Sequence, residues 1–154
     1  MMQKKIKSYA KLNVALNITG KNSFLHKIES IVVFVTLHDE IFIKKINSKS
    51  HNIIITEQFP QKNNKKKKIS KLIKIIEKKK LLRDRKFEIK INKKIPNKSG
   101  LGGGSMNAAN ILNFFVKKKI IKTSKKELLN ISKLVGSDVV LGLKSTNSIL
   151  NRNN

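Results

Sequence analysis

The chain has 154 residues, 39% of them hydrophobic, enough for one domain with its own core and too few for two comfortable ones. With no cysteine it can build neither a disulfide framework nor a thiolate metal site, and its three scattered histidines offer no metal-ligand spacing. A net charge of +26 invites a polyanion partner, yet every basic residue except Arg83, Arg85 and Arg152 is lysine, which argues for coding bias over an arginine-built, base-reading surface.

Residues 6–18 alternate with period two, as a half-buried strand does. Ile6, Ser8, Ala10, Leu12, Val14, Leu16 and Ile18 share the face expected to be buried; Tyr9, Lys11, Asn13 and Asn17 share the other, so Lys11 and Asn13 are expected to point away from the core. Lys11, Asn13 and Asn17 also interrupt any leader-like apolar core, and no run reaches the roughly 18 apolar residues of a membrane span. A cytoplasmic location with no membrane partner is therefore expected.

Gly20–Ser23 reads as a turn. A second strand, apolar on both faces, is expected from Lys27 to Leu37, broken at His38–Asp39 and followed by a third over Glu40–Ile46. A short fourth strand is expected over Asn52–Thr56 and a lysine-heavy loop over 60–68. Ile69, Leu72, Ile73 and Ile76 then fall at helical spacing, predicting an amphipathic helix to about Leu82. Phe87, Ile89, Ile91 and Ile95 restore period two, predicting a strand over 86–95.

Four of the seven glycines lie between positions 100 and 104. Such a run lets the backbone approach a ligand with no Cβ in the way. The helix that follows, marked by Ala108, Ile111, Leu112 and Phe115, would offer its unpaired N–H groups and positive dipole end to a phosphate. Ser105 is expected to cap that helix and to reach a phosphate or a metal. The loop is not a Walker loop, because Gly104 is followed by Ser105-Met106 rather than Lys-Ser/Thr, nor does it carry G-x-G-x-x-G. Ser124 and Glu127 form a capping box for a further helix bearing Leu128, Ile131 and Leu134, which Gly136-Ser137-Asp138-Val139 ends. Residues 145–154 read as a polar tail.

The stretch Pro96-Asn97-Lys98-Ser99-Gly100-Leu101-Gly102-Gly103-Gly104-Ser105-Met106-Asn107-Ala108-Ala109 resembles the ATP loop of the galacto-, homoserine, mevalonate and phosphomevalonate (GHMP) kinases. Its extra glycine, the opening Ala10-Lys11-Leu12-Asn13 and the segment Gly136-Ser137-Asp138-Val139 are similar to one branch, the CDP-methylerythritol kinases. The resemblance implies an α+β fold of the ribosomal protein S5 domain 2-like type, a mostly antiparallel sheet covered by helices, spanning residues 1–144. It also implies transfer of the γ-phosphoryl group of ATP, with Mg²⁺, to a hydroxyl of the methylerythritol part of CDP-methylerythritol. Carried onto this sequence, Lys11 and Asp138 become the catalytic pair. Lys93, Pro96, Gly100, Leu101, Gly102, Gly103, Gly104 and Ser105 become the nucleotide-binding residues, and Asn13 and His26 the substrate side. Leu25, Met106 and Val140 depart from the pattern. The family's second domain, with its own glycine motif, has no counterpart here, so an N-terminal part of a longer kinase is expected. The alternatives from the residues alone are another GHMP kinase or a basic nucleic-acid-binding domain.

Overall fold

A computed structural model describes residues 3–21, 26–57, 67–144 and 148–151, with the side chains of all but 16–21, 26–29 and 148–151. The strands are β1 (Lys4–Lys21), β2 (His26–Ile46), β3 (Asn52–Glu57), β4 (Lys86–Lys93) and β5 (Ser148–Asn151). The helices are α1 (Lys67–Lys78), α2 (Gly103–Lys117), α3 (Lys125–Val135) and α4 (Val139–Lys144). One sheet runs in the order β1-β2-β4-β3, antiparallel except for the parallel pair β3–β4 that α1 connects, and β5 adds antiparallel to β2. This is the α+β architecture the sequence predicts.

The sheet is two-faced because β4 alternates. Phe87, Ile89 and Ile91 are buried together with Ile41 and Ile43 of β2. Against them pack Ile69, Leu72, Ile73 and Ile76 of α1 and Ala108, Ile111, Leu112 and Phe115 of α2, each at the spacing read from the sequence. Each such side chain taken out of water contributes roughly 1.5–3 kcal/mol. The opposite face carries charge instead, with Lys5 2.8 Å from Glu40 and Lys44 2.9 Å from Glu88.

Several expectations are corrected. The two strands expected either side of His38–Asp39 are one strand, β2. Tyr9 pairs with His38 and Ala10 with Val35, so Thr36 and Leu37 form a bulge where a break was expected. The bulge lets the chain bend without leaving the sheet, and the His38 ring nitrogen Nδ1 sits 2.7 Å from the Thr36 carbonyl oxygen there. The alternation of β1 holds as far as Ala10 and then fails: Leu12 and Val14 are exposed, and Lys11 is buried, at 4% exposure. Leu134 is exposed and Val135 takes the buried place. α1 ends at Lys78, since Lys80, Arg83 and Asp84 all have positive φ. The segment read as a polar tail contains β5, paired with residues 29–32 of β2. Among the described residues no helix is long and apolar enough to cross a membrane.

Candidate active site

The glycine loop lies between the end of β4 and the start of α2, and the N-cap is Gly102, not Ser105. Gly100 (φ 75°) and Gly102 (φ 69°) adopt left-handed conformations that a side chain disfavours. Gly103 is constrained by proximity instead: a Cβ there would come within 3.1 Å of Ile95 and 3.4 Å of Lys93 Nζ. Ser105 stands in the first turn of α2, where its N–H and that of Met106 both bond to the Gly102 carbonyl. The N–H groups of Gly103 and Gly104 have no intrahelical acceptor, as at any helix start. Both glycines line a cavity of about 890 Å³.

The cavity is lined by Pro96, Gly100, Gly102, Gly103, Gly104, Ser105 and Asp138, and by four lysines, Lys67, Lys68, Lys93 and Lys98. Leu101 faces elsewhere; its carbonyl accepts a hydrogen bond from the Lys11 backbone N–H at 2.9 Å, which ties the loop to β1. That attachment explains why Lys11 is buried, since a Cβ on Gly102 would sit 3.4 Å from the Lys11 side chain. The Lys11 ammonium donates to Asn13 Oδ1 at 3.2 Å and lies 3.6 Å from the Asp138 carboxylate. The Lys11 side chain is 5% exposed and that of Asp138 44%, so the pair presents its carboxylate to the cavity and keeps its cation behind. Asp138 directly precedes α4, yet its carboxylate serves Lys11 rather than capping that helix, among the described residues.

Of the residues singled out in the sequence, Lys11, Asn13, Asp138, Lys93, Pro96, Gly100 and the run from Gly102 to Ser105 therefore converge, while Leu101 ties the loop to β1. Nothing is described of the side chain of His26, which starts β2, and Leu25 lies outside the described residues. Met106, where the family pattern favours serine, is fully buried and fills the space opposite Gly142.

Asp39 is the residue that sequence reasoning missed. It is fully buried and accepts four hydrogen bonds: from Lys93 Nζ (3.1 Å), the backbone N–H of Lys94 (2.7 Å) and of Ile95 (2.8 Å), and Asn107 Nδ2 (2.7 Å). One carboxylate thus joins β2, the approach to the glycine loop and α2. A buried charge is tolerable only when paired and fully hydrogen-bonded, and this one is. The available signal was an acid at the end of an apolar strand, which also fits a turn. Asn107 is 2% exposed, lines the cavity, and its Oδ1 has no partner among the described residues.

The sequence profile described as GHMP kinases N terminal domain matches residues 67–149. The chain is 55% identical over 146 residues to the 4-diphosphocytidyl-2-C-methyl-D-erythritol kinase of Pelagibacter ubique, covering 95% of this chain and 52% of that protein. It is 38% identical to the enzyme of the same name from Pseudothermotoga lettingae, covering 86% of this chain and 46% of that protein. The fold is similar to the crystal structure of a 4-(cytidine 5'-diphospho)-2C-methyl-D-erythritol kinase (TM-score 0.75, 18% identity, 96% of this chain and 51% of that one). It is also similar to the phosphomevalonate kinase of Streptococcus pneumoniae (TM-score 0.64, 15% identity, 97% and 48%). The chain spans about half the length of the relatives it matches. A glycine loop seated on a helix start, in this fold and with this profile match, establishes that the chain belongs to the GHMP kinase family and carries its N-terminal domain.

Proposed function

We propose that this chain is the nucleotide-binding part of an ATP-dependent kinase acting on a hydroxyl of 4-diphosphocytidyl-2-C-methyl-D-erythritol, its domain spanning residues 1–144. The observation that carries the reading is the convergence of an open helix N-terminus and a lysine-backed aspartate on one cavity. The loop N–H groups and the lysines suit a polyphosphate, and Asp138 stands where a hydroxyl could be oriented beside it. In the reaction the hydroxyl oxygen bonds to the γ-phosphorus as the bond to the ADP oxygen breaks, and the hydroxyl proton passes to the Asp138 carboxylate. Lys11 balances the charge from behind, and Asn13 holds the Lys11 ammonium in place. The names of the Pelagibacter and Pseudothermotoga relatives support the choice of substrate.

Mg²⁺ would neutralise charge on the phosphate oxygens. The cavity offers it the Ser105 hydroxyl and the Asp138 carboxylate. So few protein oxygens fit an ion held chiefly by phosphates and water.

The test is calorimetric titration of the chain with ATP, followed by phosphorylation of CDP-methylerythritol by the chain and by a version completed with the C-terminal half of the Pelagibacter relative. Binding by both, with transfer by the completed protein, supports the proposal. A well-folded completed protein that neither binds ATP nor transfers phosphate refutes it.

A further inference from the structure

Lys68 lies in a run of lysines that reads as a solvated loop, yet the fold gives it a specific position. It is the second residue of α1, and its ammonium donates to Ser105 Oγ at 2.5 Å, in the first turn of α2. A Cβ on Gly104 would lie 3.7 Å from its Cδ, and one on Gly136 would lie 3.9 Å from its Nζ. The side chain therefore bridges from α1 across the cavity mouth, between the glycine loop and the turn that carries Asp138.

The electrostatics of this position favour an anion. A lysine in the first turn of a helix opposes the helix dipole, and the first turn of α1 contains no acid to offset it. Its tip then meets the first turn of α2, which also lacks an acid. Among the described residues Lys68 makes no ion pair; its partner is a neutral hydroxyl. Two positive helix ends with a cation between them gain stability only from an anion placed there.

We infer that Lys68 is a phosphate-binding residue of this site: with the Ser105 hydroxyl and the N–H groups of Gly103 and Gly104, it grips the anionic oxygens of the nucleotide polyphosphate. The inference rests on the nucleotide reading above and adds to it a cation contributed by α1. Because Lys68 is joined to Ser105 rather than to a carboxylate, an arriving phosphate need not displace a competing acid.

The experiment measures ATP and adenosine binding to the chain at fixed ionic strength, for wild type, Lys68→Met, Lys68→Arg and Lys71→Met. Lys71 is exposed on the same helix and outside the cavity, so it controls for the loss of one charge. Lys68→Met is expected to weaken ATP about tenfold, as the loss of one charge-assisted hydrogen bond does. Adenosine binding should be unchanged, Lys68→Arg should recover most of the ATP loss, and Lys71→Met should match wild type. ATP binding that Lys68→Met leaves intact, or that Lys71→Met weakens equally, overturns the inference and spares the nucleotide reading. A wild-type chain that binds no ATP defeats both.

Discussion

The Lys11 ammonium lies 3.6 Å from the Asp138 carboxylate, joining β1 to the turn before α4 across 127 residues of sequence. One partner is buried and the other half-exposed, so the cation serves as a fixed support for an accessible carboxylate. In the completed kinase, Asp138→Asn is expected to lower turnover by about 10²–10⁴, the usual contribution of a general base, while ATP affinity stays within a few-fold. Steady-state kinetics paired with calorimetry checks this. Full turnover in the variant would remove Asp138 from the chemistry.

Asp39 holds the loop's approach to the sheet, and its loss would leave the Lys93 ammonium buried at 7% side-chain exposure without a carboxylate. Asp39→Ala is expected to cost about 3–5 kcal/mol in urea unfolding. Adding Lys93→Met should restore part of it, because the stranded charge goes while the N–H groups of Lys94 and Ile95 stay unpaired. A single variant within 1 kcal/mol of wild type, by this same ~3–5 kcal/mol measure, would show that the carboxylate is not needed.

Gly142 lets α4 sit directly on α2. A Cβ there would lie 2.6 Å from the Ala109 Cβ and 3.1 Å from the Met106 sulfur. Gly142→Ala is expected to destabilise the chain by about 1–3 kcal/mol through overpacking, and Ala109→Gly in the same chain should return some of it. Denaturant midpoints of the single and double variants decide whether the contact is as tight as described.

His51 and Glu77 set an acid limit. Burial, chiefly, pushes the His51 imidazole below its ordinary 6.5, and its Nδ1 accepts a hydrogen bond from the Phe87 N–H. The hydrogen bond from Lys86, chiefly, holds the Glu77 carboxyl below 4.5. In both cases the unfolded chain takes up a proton that the folded chain resists, so both contributions are complete at neutral pH and shrink on acidification. The His51 contribution falls as pH drops below 6.5, and that of Glu77 as it drops below 4.5. Urea midpoints across this range should decline, and His51→Asn, which keeps an acceptor for Phe87, should flatten the upper part of the decline. An unchanged upper slope in that variant would exclude His51 as its source.

Local signals carried far in this chain. The period-two runs around Phe87–Ile91, the helical spacing of Ile69–Ile76 and of Ala108–Phe115, and the Ser124 cap, which accepts from the Glu127 N–H at 3.1 Å, all act over a few residues and were readable. The polar pair His38–Asp39 misled because a turn and a bulge use the same residues. Only the arrival of Lys93–Ile95 and Asn107, more than 50 positions later, gives Asp39 the four donors that keep it inside. Leu12 and Val14 misled in the opposite sense, since apolar residues in alternation read as buried whether or not a helix reaches them.

By itself the sequence determined the glycine loop, the helix that follows it, the identity of the Lys11 and Asp138 motifs and the family they belong to, because each is written in contiguous residues. The tertiary structure decided which charges are buried and which face the cavity. Lys11 is covered by a loop 90 residues away, Asp39 is neutralised by a strand and a helix from the other side of the chain, and Lys68 is lifted out of a lysine run to meet Ser105. Burial and ion pairing depend on what is packed against a residue, and no local pattern specifies that.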